Sequence, residues 1–158
     1  MCKILVAGIG NIFLSDDGFG VEVAQRLAAE GVPDQVRVGD FGIRGLHLAF
    51  EMLDGCYDTT VLVDATARGG APGTLYLIEP EVDNQTAAAP ADAHDMNPQA
   101  VLASLRALGG TPGRVLIVGC EPATVEDGLG LSPPVAGAIP GAVNFVRELI
   151  RREGVRGA

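Results

Sequence analysis

The chain has 158 residues, of which 47% are hydrophobic and 20% charged, and its formal net charge is −9 at pH 7. This length suits a single domain over residues 1–158 with a sizeable buried core. The negative charge argues against a nucleic-acid partner, whose phosphates are bound by Lys and Arg. No apolar run approaches the ~20 residues of a membrane span, and no signal peptide is visible. We therefore expect a cytoplasmic protein without a membrane partner.

The three cysteines, Cys2, Cys56 and Cys120, are widely spaced and form no Cys-x-x-Cys pair. An odd number of distant cysteines is not the pattern of a disulfide framework or of a zinc site. We predict that each is a small buried hydrophobic residue in a reducing compartment.

The first motif is a glycine-rich turn, residues 8–20, which carries the adjacent carboxylates Asp16 and Asp17. It follows an apolar run that predicts a strand and precedes a segment with helical periodicity. A dinucleotide-binding turn would need glycine where Phe13 stands, and a phosphate would be repelled by the two acids. The turn therefore favours a cation site or an acid/base site over a nucleotide site.

Strands and helices alternate along the rest of the chain, and several strands are continuous apolar runs, which is typical of strands covered on both faces. This pattern predicts an α/β fold with a twisted, mostly parallel five-stranded sheet flanked by helices. The predicted strands are Lys3–Ala7, Gln35–Val38, Thr60–Val63, Thr74–Ile78 and Arg114–Val118, and the predicted helices are Gly20–Glu30, Gly45–Leu53, Pro98–Leu108 and Pro133–Arg152. Pro140 should kink the last helix or mark its true start. The stretch from Glu79 to Ala93 has no period, and it predicts a mobile surface loop.

Acidic residues follow the predicted strands, where ligands bind in open α/β sheets. Asp16 and Asp17 follow the first strand, Asp40 the second, Asp64 the third and Glu121 the fifth; His94 closes the loop after the fourth. Carboxylates that converge on one edge repel one another unless a positive charge lies between them. The simplest interpretation is a divalent metal.

Each of these residues also has a purely structural interpretation. Asp17 could cap the following helix, although Asp16 is the better candidate for that cap. Asp40 could anchor a turn, and His94 could be an ordinary loop histidine. Asp64 is harder to explain in this way, because a lone buried carboxylate is costly.

Remaining polar residues are assigned to packing or to the surface. We expect Cys120 to pack in the core, Glu121 to lie on the surface, and His47 to be a surface or half-buried side chain of its helix.

Five motifs, in order, resemble those of the hydrogenase maturation proteases, the endopeptidases that trim the C-terminus of the large subunit of nickel–iron hydrogenases. They are Gly8-x-Gly10-Asn11 with Asp16-Asp17-Gly18-x-Gly20, then Asp40 to Leu46, Val63-Asp64-Ala65, His94 to Pro98, and Gly119 to Pro122 followed by Gly128-Leu129-x-Leu131-Ser132. Phe41 and Ile43 stand where the family commonly has small residues, which suggests a pocket shaped for a particular partner. Asp17 stands where some members carry Glu.

The resemblance implies that Asp17, Asp64 and His94 are ligands of the nickel that the substrate precursor already carries, with zinc or cadmium as possible replacements in vitro. Two carboxylates and an imidazole suit such a metal. Asp40 would recognise the substrate or assist proton transfer. The partner would be a hydrogenase large-subunit precursor, and we expect the protein to act as a monomer.

Two other functions are compatible with these residues. One is a nickel-site assembly factor without cleavage activity, and the other is a metal-dependent hydrolase of small molecules. The sequence contains neither the Gly-x-Ser-x-Gly turn of serine hydrolases nor a His-Glu-x-x-His zinc motif.

Overall fold

Five strands form one sheet in the computed structural model, which describes residues 2–80 and 97–156. The strands are β1 (Ile4–Ile9), β2 (Val36–Gly42), β3 (Thr59–Ala65), β4 (Leu75–Ile78) and β5 (Arg114–Cys120). Their order across the sheet is β2-β1-β3-β5-β4, and only β4 is antiparallel to its neighbour. The predicted fold class is therefore confirmed.

Four helices cover the two faces of this sheet: α1 (Phe19–Glu30), α2 (Gly45–Gly55), α3 (Pro98–Ala107) and α4 (Pro133–Arg156). α1 and α4 bury apolar side chains on one face, together with Val61 and Val63 of β3. α2 and α3 cover the other face, where they pack on Leu62. The alternation of Val61, Leu62 and Val63 between the faces is the period of two of a strand buried on both sides.

Of the two roles predicted for Pro140, a kink in the last helix or its start, the second is wrong. α4 runs without interruption from Pro133 to Arg156, so Pro140 neither begins nor ends it. Pro140 is exposed, and the missing backbone N–H of proline is therefore accommodated on the solvent side of the helix.

The described helices include none that is long and apolar enough to cross a membrane. The predicted loop from Glu79 to Ala93 lies for the most part outside the described residues, which end at residue 80 and resume at residue 97.

The described cysteines follow the prediction in two of three positions. Cys2 and Cys120 are buried free thiols, whereas Cys56 is exposed. Cys56 lies just after α2 in a left-handed conformation that ends the helix, which places its side chain outside the core.

Candidate active site

The chain leaves β1 toward one edge of the sheet to form β2, and it then returns to add β3 on the other side of β1. The boundary between β1 and β3 is therefore the topological switch point of the sheet. Open α/β sheets bind ligands at such a switch point, outside the carboxyl ends of the strands. Two of the sequence-predicted ligands are found there. Asp17 lies in a short 3-10 turn, Ser15–Gly18, between β1 and α1, and Asp64 is the penultimate residue of β3.

Asp64 is a buried carboxylate with an unsatisfied oxygen. Its side chain is 4% exposed, and its Oδ1 atom has no hydrogen-bond partner among the described residues. Burial, followed by the negative charge of Asp17, raises the pKa of Asp64 well above its usual value, and a hydrogen bond from the Ala65 amide opposes this only in part. An orphaned, buried, acidic oxygen beside a second carboxylate is the arrangement that a cation would stabilise.

The backbone of the β1 turn brings these two acids together. The amide of Asn11 donates a 2.7 Å hydrogen bond to Oδ2 of Asp17, which orients that carboxylate. Gly10 has a φ of +125°, and a Cβ atom there would overlap the backbone oxygen of Asp17 and lie 3.4 Å from Oδ1 of Asp64. Only glycine permits this close approach of the turn to β3.

Asp40 lies at the same end of the sheet but apart from the Asp17–Asp64 pair. It belongs to β2, opposite Gly8 of β1, so two strand spacings, roughly 10 Å, separate it from β3. Val36 and Val38 pack on the α1 side, and the alternation along β2 directs Asp40 to that same side. There its Oδ2 atom accepts a 3.0 Å hydrogen bond from Gln25 of α1. Asp40 is exposed.

The third predicted ligand, His94, lies outside the described residues. Among residues 2–80 and 97–156, no group of three His, Cys, Asp or Glu side chains is arranged to hold a metal ion. The described part of the chain thus supplies two of the three predicted ligands. α3, which follows His94 in the chain, begins at Pro98 as predicted. Asn97 caps it, and the Asn97 Oδ1 atom accepts a 2.8 Å hydrogen bond from the Ala100 amide.

The prediction that Asp16 caps α1 is wrong. Its carboxylate is fully buried and accepts four hydrogen bonds from a distant loop: the amides of Ala123, Thr124 and Ser132, and the Ser132 hydroxyl. Burial acts to raise the pKa of Asp16, but the hydrogen bonds from Ser132, Ala123 and Thr124 outweigh it and lower the pKa. Asp16 therefore fixes the loop that connects β5 to α4 against the β1 turn.

The prediction that Glu121 lies on the surface is also wrong. Glu121 is 6% exposed, and its Oε1 atom accepts hydrogen bonds from the amides of Arg68 and Gly70 and from the Tyr76 hydroxyl. It therefore holds the loop that follows Asp64 and β3. The smaller predictions hold, since Cys120 is fully buried in the core and His47 is an exposed side chain of α2.

A cleft of about 210 Å³ lies between the β1 turn, α1 and residues 129–131. Its lining includes Gly18, which directly follows Asp17, and Gln25, the partner of Asp40. Sequence reasoning missed this cleft, because its walls come from segments more than a hundred residues apart.

Known proteins with similar sequences point to one family. A family model described as hydrogenase maturation protease matches residues 21–149. The hydrogenase expression/formation protein HupD of Rhizobium leguminosarum bv. viciae is 36% identical over 156 residues, which cover 97% of this chain and 76% of that protein. The hydrogenase 2 maturation protease of Escherichia coli (strain K12) is 32% identical over 155 residues, covering 97% of this chain and 93% of that protease.

Solved structures agree. The hydrogenase maturating endopeptidase HybD from E. coli superposes with a TM-score of 0.76 at 30% identity, covering 96% of this chain and 94% of that chain. A hydrogenase 2 maturation peptidase from Thaumarchaeota archaeon SCGC_AB-539-E09 gives a TM-score of 0.72 at 31% identity, covering 94% of this chain and 97% of that one.

Proposed function

The chain belongs to the family of hydrogenase maturation proteases, and we propose that it is the endopeptidase that removes the C-terminal extension of a nickel–iron hydrogenase large-subunit precursor after nickel insertion. The observation that carries the proposal is the orphaned Oδ1 atom of Asp64, buried beside Asp17 at the switch point of the sheet.

We further propose that Asp17, Asp64 and His94 bind the nickel carried by the precursor. The donor types fit, since two carboxylates and an imidazole are ligands that nickel accepts, as do zinc and cadmium. The fit is also electrostatic, because a divalent ion would compensate the burial of Asp64 and its repulsion by Asp17, the two causes that raise the pKa of Asp64. When bound, the metal supplies a Lewis acid that polarises the scissile carbonyl and lowers the pKa of a water molecule.

The residues of the chain itself prepare this site. The Asn11 amide holds the Asp17 carboxylate in one orientation, and the surrounding β-strands keep Asp64 out of water. The buried Asp64 carboxylate has one unsatisfied oxygen, so it should bind a metal-loaded precursor more tightly than an empty one. An empty precursor brings no positive charge to compensate this carboxylate. The chain would thereby select loaded precursor.

Asp40 has a separate role in this proposal. Because its carboxylate is exposed and held by Gln25 on the α1 side, it can contact the peptide that enters beside the metal without becoming a ligand. In that position it recognises the precursor or assists proton transfer. We also propose that the protein works as a monomer in the cytoplasm, where its free thiols stay reduced.

Processing of the precursor tests the main proposal. The protein is incubated with nickel-loaded and nickel-free large-subunit precursor, and the mass of each product is measured. Shortening of the loaded form alone is expected. Binding without shortening would instead indicate an assembly factor, and cleavage of both forms would refute selection by nickel.

Cadmium binding tests the ligand set. Asp17→Asn, Asp64→Asn and His94→Ala should each weaken cadmium affinity at least tenfold, since each removes one of three ligands. Asp40→Asn should keep cadmium affinity and impair processing. Asp54→Asn, at an exposed position of α2, serves as the matched control and should change neither measurement. Normal cadmium affinity in Asp64→Asn would refute the site.

A further inference from the structure

Three large apolar side chains beside the candidate site point into solvent. Ile12 and Phe13 of the β1 turn are 45% and 63% exposed, and Leu129 of the β5–α4 loop is 75% exposed. We refer to Ile12, Phe13 and Leu129 as the apolar lip. Backbone hydrogen bonds tie its two segments together, since the Gly128 amide donates to the Phe13 oxygen and the Ser15 amide to the Gly128 oxygen, each at 2.9 Å. Exposed apolar groups held in a fixed arrangement are typical of a protein interaction surface.

The lip borders the 210 Å³ cleft, to which Ile12 and Leu129 both contribute. Val21 and Leu131 add further apolar surface, and among the described residues Glu22 is the only charged one in the lining. The cleft adjoins the candidate ligand Asp17 through Gly18 and adjoins Asp40 through Gln25. A peptide lying in this cleft would therefore run beside Gly18, which follows Asp17 in the chain, and beside Gln25, the partner of Asp40.

The charges around the cleft restrict what it can hold. Glu22 and Asp40 are exposed carboxylates, and none of the nine described residues that line the cleft is basic. An acidic segment would be repelled by Glu22 of the lining, whereas an apolar segment would bury surface against the lip. An apolar, non-acidic segment is the complementary occupant.

Asp16 holds the lip in place. Its buried carboxylate accepts the amides of Ala123 and Thr124 and both donors of Ser132, and its own amide donates to the Thr124 oxygen. These contacts bracket Leu129 on both sides in sequence. Without them the loop would be free to fold its exposed leucine away from the cleft.

We propose that the apolar lip and the cleft behind it grip an apolar, non-acidic segment of the large-subunit precursor next to its cleavage site, and that Asp16 is the positioning residue that sets the lip. This inference rests on the proposed function and adds to it the surface that recognises the precursor.

The test is processing of nickel-loaded precursor by Phe13→Ser, Leu129→Ser and the double variant. Losing buried apolar contacts should raise KM roughly fivefold to tenfold per residue while kcat stays within about twofold. Val155→Ser is the matched control, because Val155 is 71% exposed but lies near the end of α4, where Glu153 contacts Thr59 at the start of β3, the opposite end of the sheet. A double variant whose KM equals that of Val155→Ser would overturn the proposal.

The charge requirement is tested on both partners. Aspartate introduced into the precursor next to the scissile bond should raise KM, and Glu22→Gln should relieve most of that increase. An aspartate that leaves KM unchanged would show that this segment does not enter the cleft, which overturns the proposal.

Asp16 is tested through the loop that it holds. Asp16→Asn places an amide against three backbone donors, and the milder Ser132→Ala removes one hydrogen bond. Hydrogen exchange at residues 121–132 should accelerate in both, and KM should rise in step with it while kcat changes little. Ser132→Ala keeps the test valid if Asp16→Asn does not fold. Faster exchange without any change in KM would refute the positioning role.

Affinity for the precursor is measured alongside cleavage. If the parent protein binds the precursor without cutting it, the proposed function fails, and the lip is judged on the affinities of its variants. If the parent protein cuts and the lip variants bind and cut like Val155→Ser, only the further inference fails.

Discussion

Glu153 of α4 and Arg114 of β5 form a partly buried ion pair, with 2.6 Å between Oε1 and Nε, at the end of the sheet opposite the candidate site. Glu153 is 1% exposed and also accepts a hydrogen bond from Thr59 of β3, so it joins the last helix to two central strands. The Arg114 side chain is 26% exposed and makes a second ion pair with Glu79.

This asymmetry of burial predicts the order of mutational effects. Arg114→Met removes the close partner of the buried Glu153 carboxylate and leaves it only Arg152, whose Nε atom is 3.9 Å from Oε2. It should therefore lower the free energy of unfolding by about 3 kcal/mol. Glu153→Gln should cost less, because the remaining Arg114 keeps Glu79 and partial contact with water. Urea unfolding measures both, and a larger loss for Glu153→Gln would contradict this account.

Gly10→Ala should disrupt the candidate site as well as the fold. The new Cβ would overlap the backbone oxygen of Asp17 at a φ of +125°, so the turn would have to move away from β3. Gly31→Ala is the matched control, because Gly31 has a φ of +95° with open space around it and should show only the strain of that conformation, about 1–3 kcal/mol. The thermal unfolding temperature and the cadmium affinity should both fall further in Gly10→Ala than in Gly31→Ala. Equal losses in the two variants would show that the close approach of the turn to β3 is not required.

Metal-free protein should become less stable as pH rises through the pKa of Asp64. The folded pKa is raised above the unfolded value of about 3.9, so the folded state binds more protons and the free energy of unfolding falls with increasing pH in that window. Asp64→Asn removes this penalty, and its stability relative to the parent should be greater at pH 8 than at pH 4. The free energy of unfolding of both proteins is measured in urea, with chelator present, at the two pH values, and Asp54→Asn serves as the control. A difference between parent and variant that does not depend on pH would refute the prediction.

The metal should not be needed for folding. Two apolar clusters, one on each face of the sheet, supply a core that zinc-dependent small domains lack. Chelator should therefore leave the thermal unfolding temperature of the purified protein unchanged. Added cadmium should stabilise the protein by mass action alone, ~2.7 kcal/mol at a hundredfold excess over its dissociation constant. Unfolding by chelator at room temperature would reveal a structural metal.

The sequence predicts those parts of the fold that depend on local patterns. Apolar runs and helical periodicity predict each of the described strands and α-helices to within a few residues, and α3 begins at the predicted Pro98. β2 is longer than predicted because the glycines around Asp40 suggest a turn, yet the segment pairs with β1 as far as Gly42. Pairing energy from a neighbouring strand is not visible in local composition.

Long-range contacts explain the errors at the site. Asp16 resembles a helix cap in sequence, but its partners lie more than a hundred residues away. Glu121 resembles a surface residue in sequence, but in the structure it accepts hydrogen bonds from Arg68, Gly70 and Tyr76, which lie far from it in the chain. The proximity of Asp17 and Asp64 could be predicted from the sequence, since both follow predicted parallel strands whose carboxyl ends lie at one edge of the sheet.

Both described ends of the chain lie at the edge of the sheet that faces away from the cleft. Ile4 begins β1 there, with its amide bonded to the Gln35 oxygen, and Glu153 contacts Thr59 at the start of β3 three residues before α4 ends. A protein fused to either end, or an immobilising tag, would thus be attached on the far side of the molecule. A folded substrate as large as a hydrogenase subunit could then approach the acidic edge without steric hindrance, which makes the chain suited to surface-coupled binding measurements.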